Sequence, residues 1–160
     1  MAPRANVYRD TWCGEVLPDR VGQSVRVAGG VHRRRDHGGL VFVDLRDRTG
    51  IVQVVFNPQD APTAHARSHE LRSEWVVSAA GEVVPRSEET INRDLPTGGV
   101  EIRVSDIDVL GEAETPPFPL EEESDVDEAL RLRYRYLDLR REPMQRHLAL
   151  RHDVNRAIRE

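Results

Sequence analysis

The run Val41-Phe42-Val43-Asp44-Leu45-Arg46 has a two-residue period, and this constrains the fold more than any other feature of the chain. Successive side chains of a strand point to opposite faces, so Val41, Val43 and Leu45 belong to a core while Phe42, Asp44 and Arg46 emerge on the other side. The same alternation sets Val25, Val27 and Val31 against Arg26, Ala28 and His32. Residues 51–56 form a short apolar run, and Arg48-Thr49-Gly50 before it reads as a hairpin turn. Residues 62–72 then carry a helical pattern, with Pro62 in the first turn and Leu71 near the end. Residues 75–84 and 100–110 supply two further strands. The connection between them holds Asn92, Asp94, Pro96, Gly98 and Gly99 and reads as a long loop. Three strands, a helix and two strands predict a mainly β fold: a five-stranded Greek-key barrel of the OB type, with its helix between strands three and four.

Beyond residue 110 the pattern changes. Thr115-Pro116-Pro117-Phe118-Pro119 cannot enter a sheet and is expected to run extended. Residues 127–141 read as helix or turn, and Pro143 opens a last helix with Leu150, Val154, Ala157 and Ile158 on one stripe. The expected organisation is a barrel over residues 1–110, a hinge over 111–142 and a helical segment over 143–160.

Charge needs the same segmentation. The net charge of -5 argues against a nucleic-acid partner, but residues 112–128 contain eight acids and no arginine. That run reads as a solvated hinge. Without it, 23 basic side chains face 20 acids, and residues 20–48 hold seven Arg against three Asp. All the basic residues are Arg, a side chain suited to phosphates and base edges. No apolar run approaches the ~18 residues a membrane span requires. The single cysteine, Cys13, excludes an intramolecular disulfide and reads as a small packed hydrophobe. A cytoplasmic setting is the simplest expectation.

Alternation also identifies a candidate site. With Val52, Val54 and Phe56 inward, Gln53 faces out; with Val100, Ile102 and Val104 inward, Glu101 and Arg103 face out. One open face thus collects the Phe42 ring, the Gln53 amide, the Glu101 carboxylate and several guanidinium groups. Such a set serves unpaired nucleic acid: a ring stacks a base, polar groups meet base edges, and Arg meets phosphates. From alternation alone, a Phe covered by a loop or helix and a merely solvated Arg33-Arg34-Arg35 strand end are the default readings, with the functional ones open beside them. His65 and His69 have i, i+4 spacing but no third ligand in sequence, so a solvated pair is expected and no metal site is assigned. No phosphate-binding loop and no nucleophile elbow is present, so no catalytic residue is assigned to these 160 residues.

Several stretches then carry a family likeness. Residues 31–56, reading Val31-His32-Arg33-Arg34-Arg35-Asp36-His37-Gly38-Gly39 and on to Phe56, resemble the anticodon-binding barrel of bacterial-type aspartyl-tRNA synthetases, a class II family. Ile91-Asn92-Arg93-Asp94, Thr97-Gly98 and Leu132-Arg133-Tyr134-Arg135-Tyr136-Leu137-Asp138-Leu139-Arg140-Arg141 are similar too. The resemblance runs from about Arg9 onward and covers the N-terminal part of the family's length. It implies that Phe42 stacks on the central anticodon base, that Gln53 meets a base edge, and that Arg35 and Glu101 touch the anticodon. It also implies that Arg86 and Asn92 lie in the loop near the first anticodon base. His37 stands where discriminating members often carry leucine, which implies acceptance of tRNA(Asn) beside tRNA(Asp). Residues 87–90 depart from the family pattern, so no contact is carried over for them. For the full-length enzyme the resemblance implies ATP- and Mg²⁺-dependent attachment of aspartate to tRNA, with a homodimer built on the segment that residues 143–160 begin. These residues alone are expected to hold no cofactor and to be monomeric or weakly associated. Two alternatives share the barrel: the anticodon domain of a lysyl-type class II synthetase and a stand-alone single-strand binding module. A scaffold that ignores RNA is the reading from another class.

Overall fold

The computed structural model describes residues 6–120 and 125–160. The chain divides into two compact units, Met1–Thr115 and Pro116–Glu160. The first contains β1 (Ser24–His37), β2 (Leu40–Asp47), β3 (Gly50–Phe56), α1 (Pro62–Ser68), β4 (Val76–Pro85) and β5 (Val100–Gly111). These strands close a barrel in the order β1-β2-β3-β5-β4, antiparallel throughout except for the β3–β5 pair. The expected OB architecture is the observed one, helix between β3 and β4 included.

One long strand makes the closure possible. The first half of β1 pairs with β4 over Ser24 to Gly30, and its second half pairs with β2 from Gly30 to His37. The turnover falls at Gly29-Gly30, where a Cβ on Gly29 would sit 2.5 Å from the Arg46 carbonyl oxygen. Register then slips at His32: Val31 opposes Leu45 but Arg33 opposes Asp44, so one extra residue is accommodated as a bulge. Similar slips occur in β5 at Ser105 and Leu110. These bulges lie in the β1–β2 and β4–β5 pairs and bend the strands toward barrel closure.

The core is aliphatic. Val27, Val43, Leu45, Val52, Val54, Phe56, Val77 and Ile102 are wholly buried, and Cys13, Ala61, Ala64 and Leu71 complete it. Cys13 is thus a packed hydrophobe, and burial pushes its thiol pKa up, with the nearby Asp47 carboxylate adding to the effect. The helical pattern over residues 62–72 overshoots: α1 stops at Ser68, whose Oγ donates to the His65 carbonyl. Leu71 still reaches the core, carried by an irregular return in which Glu74 adopts φ 66° and pairs with Arg46 at 2.7 Å.

The second unit has α2 (Glu128–Arg133), α3 (Arg135–Asp138) and α4 (Glu142–Arg159). Asp127 caps α2 by accepting from the Ala129 and Leu130 amides. Phe118, Leu120 and Leu137 form its small core. The wholly buried Asp138 carboxylate is ringed by Arg135 at 2.6 Å, Arg131 at 3.7 Å and Arg141 at 3.7 Å. Helix α4 buries none of its residues, and the Leu150, Val154 and Ile158 stripe is exposed. Glu121, Glu122 and Glu123 of the acidic run lie outside the described residues. No described helix is long and apolar enough to cross a membrane.

Candidate nucleic-acid interface

Register dictates which outward side chains become neighbours, because opposed residues share a face. One row crosses the barrel as Arg35, Phe42, Val55, Arg103 and Glu82. The adjacent row runs Arg33, Asp44 and Gln53, with Glu101 one residue before the Ile102 that pairs with Val54. Phe42 and Gln53 are therefore diagonal neighbours on the outside of β2 and β3, as alternation required. Phe42 is half-buried between the core residues Val41 and Val43.

The polar groups form a hydrogen-bonded chain. Arg35 Nη2 donates to Asp44 Oδ1 at 3.0 Å and to Gln53 Oε1 at 3.0 Å. Gln53 Nε2 donates in turn to Glu101 Oε2 at 2.8 Å, and Arg86 Nε lies 3.6 Å from that same oxygen. This order fixes the amide: its oxygen faces a guanidinium and its nitrogen a carboxylate, and a flipped amide would oppose like partners on both sides. Gln53 is only 7% exposed, so it is held under its neighbours rather than solvated. Val55 is likewise buried on the outer side. Alternation gave the face of these side chains; their cover depends on neighbours distant in sequence.

Burial raises the Glu101 pKa, opposed by the Gln53 hydrogen bond and the Arg86 charge. Burial also lowers the Arg86 pKa, offset by the Glu101 and Asp44 charges. Both charges thus sit in a partly desolvated site where Coulombic effects are stronger than in water.

The residue 86–99 loop is built to hold Arg86. The Arg86 amide donates to the Gly99 carbonyl, its Nη1 donates to the Thr90 carbonyl, and the Asn92 amide donates to the Gly98 carbonyl. Gly98 is required there: a Cβ would fall 1.8 Å from the Asn92 oxygen. Asn92 Oδ1 accepts from the Asp94 amide in a turn, which leaves its side chain exposed and engaged with its own loop. Asp44 was the residue sequence reasoning did not assign. Its position between core Val43 and Leu45 was the available signal, and the structure makes it the anchor of Arg35. His37 ends β1 in the exposed turn to β2. His65 and His69 stand on and just after α1 with ring centroids 4.8 Å apart, and no group of three or more metal-type ligands occurs among the described residues.

Known proteins share this barrel and much of its sequence. Over 154 residues the chain is 54% identical to an aspartate–tRNA(Asp/Asn) ligase of Rubrobacter xylanophilus, covering 96% of this chain and 26% of that protein. Over 159 residues it is 50% identical to the ligase of the same description from Desulfotalea psychrophila, covering 99% and 26%. The chain therefore spans about a quarter of the length of the curated relatives it matches. Asparaginyl-tRNA synthetase from Pyrococcus horikoshii superposes with a TM-score of 0.66 at 31% identity, over 81% of this chain and 29% of that one. Aspartyl tRNA synthetase from Entamoeba histolytica gives 0.71 over 83% and 32%, but at 21% identity it speaks for the fold alone. A family model described as an OB-fold nucleic acid binding domain, of the tRNA anticodon type, matches residues 25–110 and so takes in all five strands. The chain belongs to that family of OB-fold nucleic acid binding domains.

Proposed function

We propose that the barrel reads the anticodon of tRNA(Asp), and of tRNA(Asn), on behalf of an aspartate–tRNA ligase. The observation that carries this is the juxtaposition of the Phe42 ring with the Asp44–Arg35–Gln53–Glu101–Arg86 chain. The ring offers a stacking surface for a splayed base, worth about 1–3 kcal/mol. Gln53, oriented before RNA arrives, retains one amide hydrogen and one oxygen lone pair for a base edge. Arg86 and Asn92 address the first anticodon base from the residue 86–99 loop, and His37 addresses the third from the β1–β2 turn. Activation of aspartate with ATP and Mg²⁺ would belong to the whole ligase and uses none of these side chains. Homodimerisation through the exposed α4 stripe is likewise assigned to the whole enzyme.

Titration of the 160-residue chain with an anticodon stem-loop bearing G-U-C and with a scrambled loop tests the reading. Tighter binding of the G-U-C loop is expected. Equal affinity for both would assign the barrel to sequence-tolerant single-strand binding instead, and no salt-sensitive binding would leave a scaffold.

A further inference from the structure

The turn between β1 and β2 consists of Gly38-Gly39 at φ 60° and 81°, and a Cβ on either would meet nothing within 4 Å. Two successive glycines give this turn wide backbone freedom, and no packing around it removes that freedom. It is nevertheless tied down from outside. His65 Nε2 lies 2.9 Å from the Gly39 carbonyl oxygen, to which it can donate. One turn further on, His69 meets the His65 ring edge-on at 85°. His69 Nδ1 sits 3.4 Å from Arg34 Nη2 and 4.0 Å from Asp36 Oδ2, while Arg34 and Asp36 pair with each other at 2.7 Å. The two histidines thereby join the helix region both to the turn and to the strand that leads into it.

The helix and the residues that flank it are a firm support. Ala61, Ala64 and Leu71 sink into the barrel core, Ser68 Oγ holds the His65 carbonyl at 2.7 Å, and Arg67 Nη1 reaches the Ile107 carbonyl of β5 at 2.7 Å. With His65 Nε2 and His69 Nδ1 both turned to protein groups, the pair is arranged as a latch rather than as metal ligands.

We propose that α1 acts as a post that fixes the β1–β2 turn. His65 is then a positioning residue for selection at the third anticodon base, acting through the turn that carries His37, and His69 holds the His65 ring in place. The proposal rests on the anticodon reading above and adds residues to it. An unlatched turn must be ordered at the moment RNA docks, and that cost falls on the contacts the turn makes.

The test uses the 160-residue chain with His65→Ala, His65→Gln and His69→Ala. Backbone order of Gly38 and Gly39 is measured by ¹⁵N relaxation, and affinities for G-U-C, G-U-U and scrambled stem-loops are measured alongside. His65→Ala should mobilise both glycine amides and weaken G-U-C binding by about 2- to 10-fold. It should also change the G-U-C to G-U-U ratio by about threefold or more, with discrimination at the central base kept. His65→Gln, which restores an N–H donor, should recover the order and the ratio, and His69→Ala should fall between. A turn that stays rigid in His65→Ala, or an unaltered ratio with a mobile turn, overturns the proposal. Wild-type chain that binds scrambled loops as well as G-U-C would instead remove the anticodon reading, and the specificity role of His65 with it.

Discussion

The Gln53 amide has its oxygen against the Arg35 guanidinium and its nitrogen against the Glu101 carboxylate. In the proposed reading a base edge would meet at Gln53 a side chain whose orientation is already set, so little rotamer freedom would remain to be lost on binding. Gln53→Ala should lower discrimination between matched and mismatched anticodon loops by about 0.5–1.5 kcal/mol while overall affinity falls less. Stem-loop titrations would show it, and an equal fall for matched and mismatched loops would count against a base-reading amide. Glu101 adds a pH dependence. Its carboxyl titrates above the ordinary carboxylate range because burial disfavours the charge. A raised folded-state pKa means that protonation favours the fold: the contribution is present at low pH and lost as pH rises through the folded value. Acidification should therefore weaken selective binding at a pH above that of an ordinary glutamate, with no unfolding caused by this group. Glu101→Gln should remove that dependence; a binding profile unchanged in the variant would contradict the assignment.

At the scale of elements, the loop of residues 86–99 is where backbone geometry and site meet. Gly98→Ala forces a Cβ onto the Asn92 oxygen, so the loop must open while the barrel, whose core lies elsewhere, stays folded. Hydrogen exchange should show lost protection at Asn92 and Gly98, and G-U-C affinity should fall several-fold, as roughly 1–3 kcal/mol of strain is met by rearrangement. Unchanged protection would mean the loop tolerates the methyl. Leu45→Ala, by contrast, should cost about 2–5 kcal/mol of barrel stability by leaving a cavity, readable in a denaturant melt. These elements also show what the sequence could and could not reveal. The strands of Val41 to Arg46 and of Val100 to Val104 were legible because their period depends on local pleating alone. The bulges at His32, Ser105 and Leu110 were not, since an extra residue is visible only against its partner strand. Nor was the return after α1, where the chain leaves the helix at Ser68 and Glu74 pairs with Arg46, a tertiary contact. The pairing of Asp44 with Arg35 was hidden for the same reason. The residue 132–141 motif is legible only as a likeness, because its physical basis, a buried Asp138 amid three arginines, depends on the fold.

The whole molecule carries a net charge of -5, and the proposed function gives it an RNA-reading face. The two are compatible because many arginines are already partnered: Arg26 with Asp106, Arg34 with Asp36, Arg35 with Asp44, Arg46 with Glu74, and Arg103 with Glu82. These pairings hold five guanidinium groups against carboxylates, Arg35 and Arg103 of the proposed face among them, so affinity should come chiefly from stacking and base edges. The slope of log affinity against log salt should accordingly be shallow, about -1 to -2 for two or three phosphate contacts on single-stranded RNA. A slope several times steeper would indicate binding dominated by phosphate contacts instead.

Phe42, on the outer row of β2 beside the oriented Gln53, is the centre of the proposed mechanism. Affinity of Phe42→Ala for the G-U-C stem-loop, set beside its thermal melt, tests it most directly. The expected result is binding weaker by about 5- to 150-fold, the loss of one stacked base, with the barrel still folded. Wild-type affinity in a folded Phe42→Ala chain would contradict it.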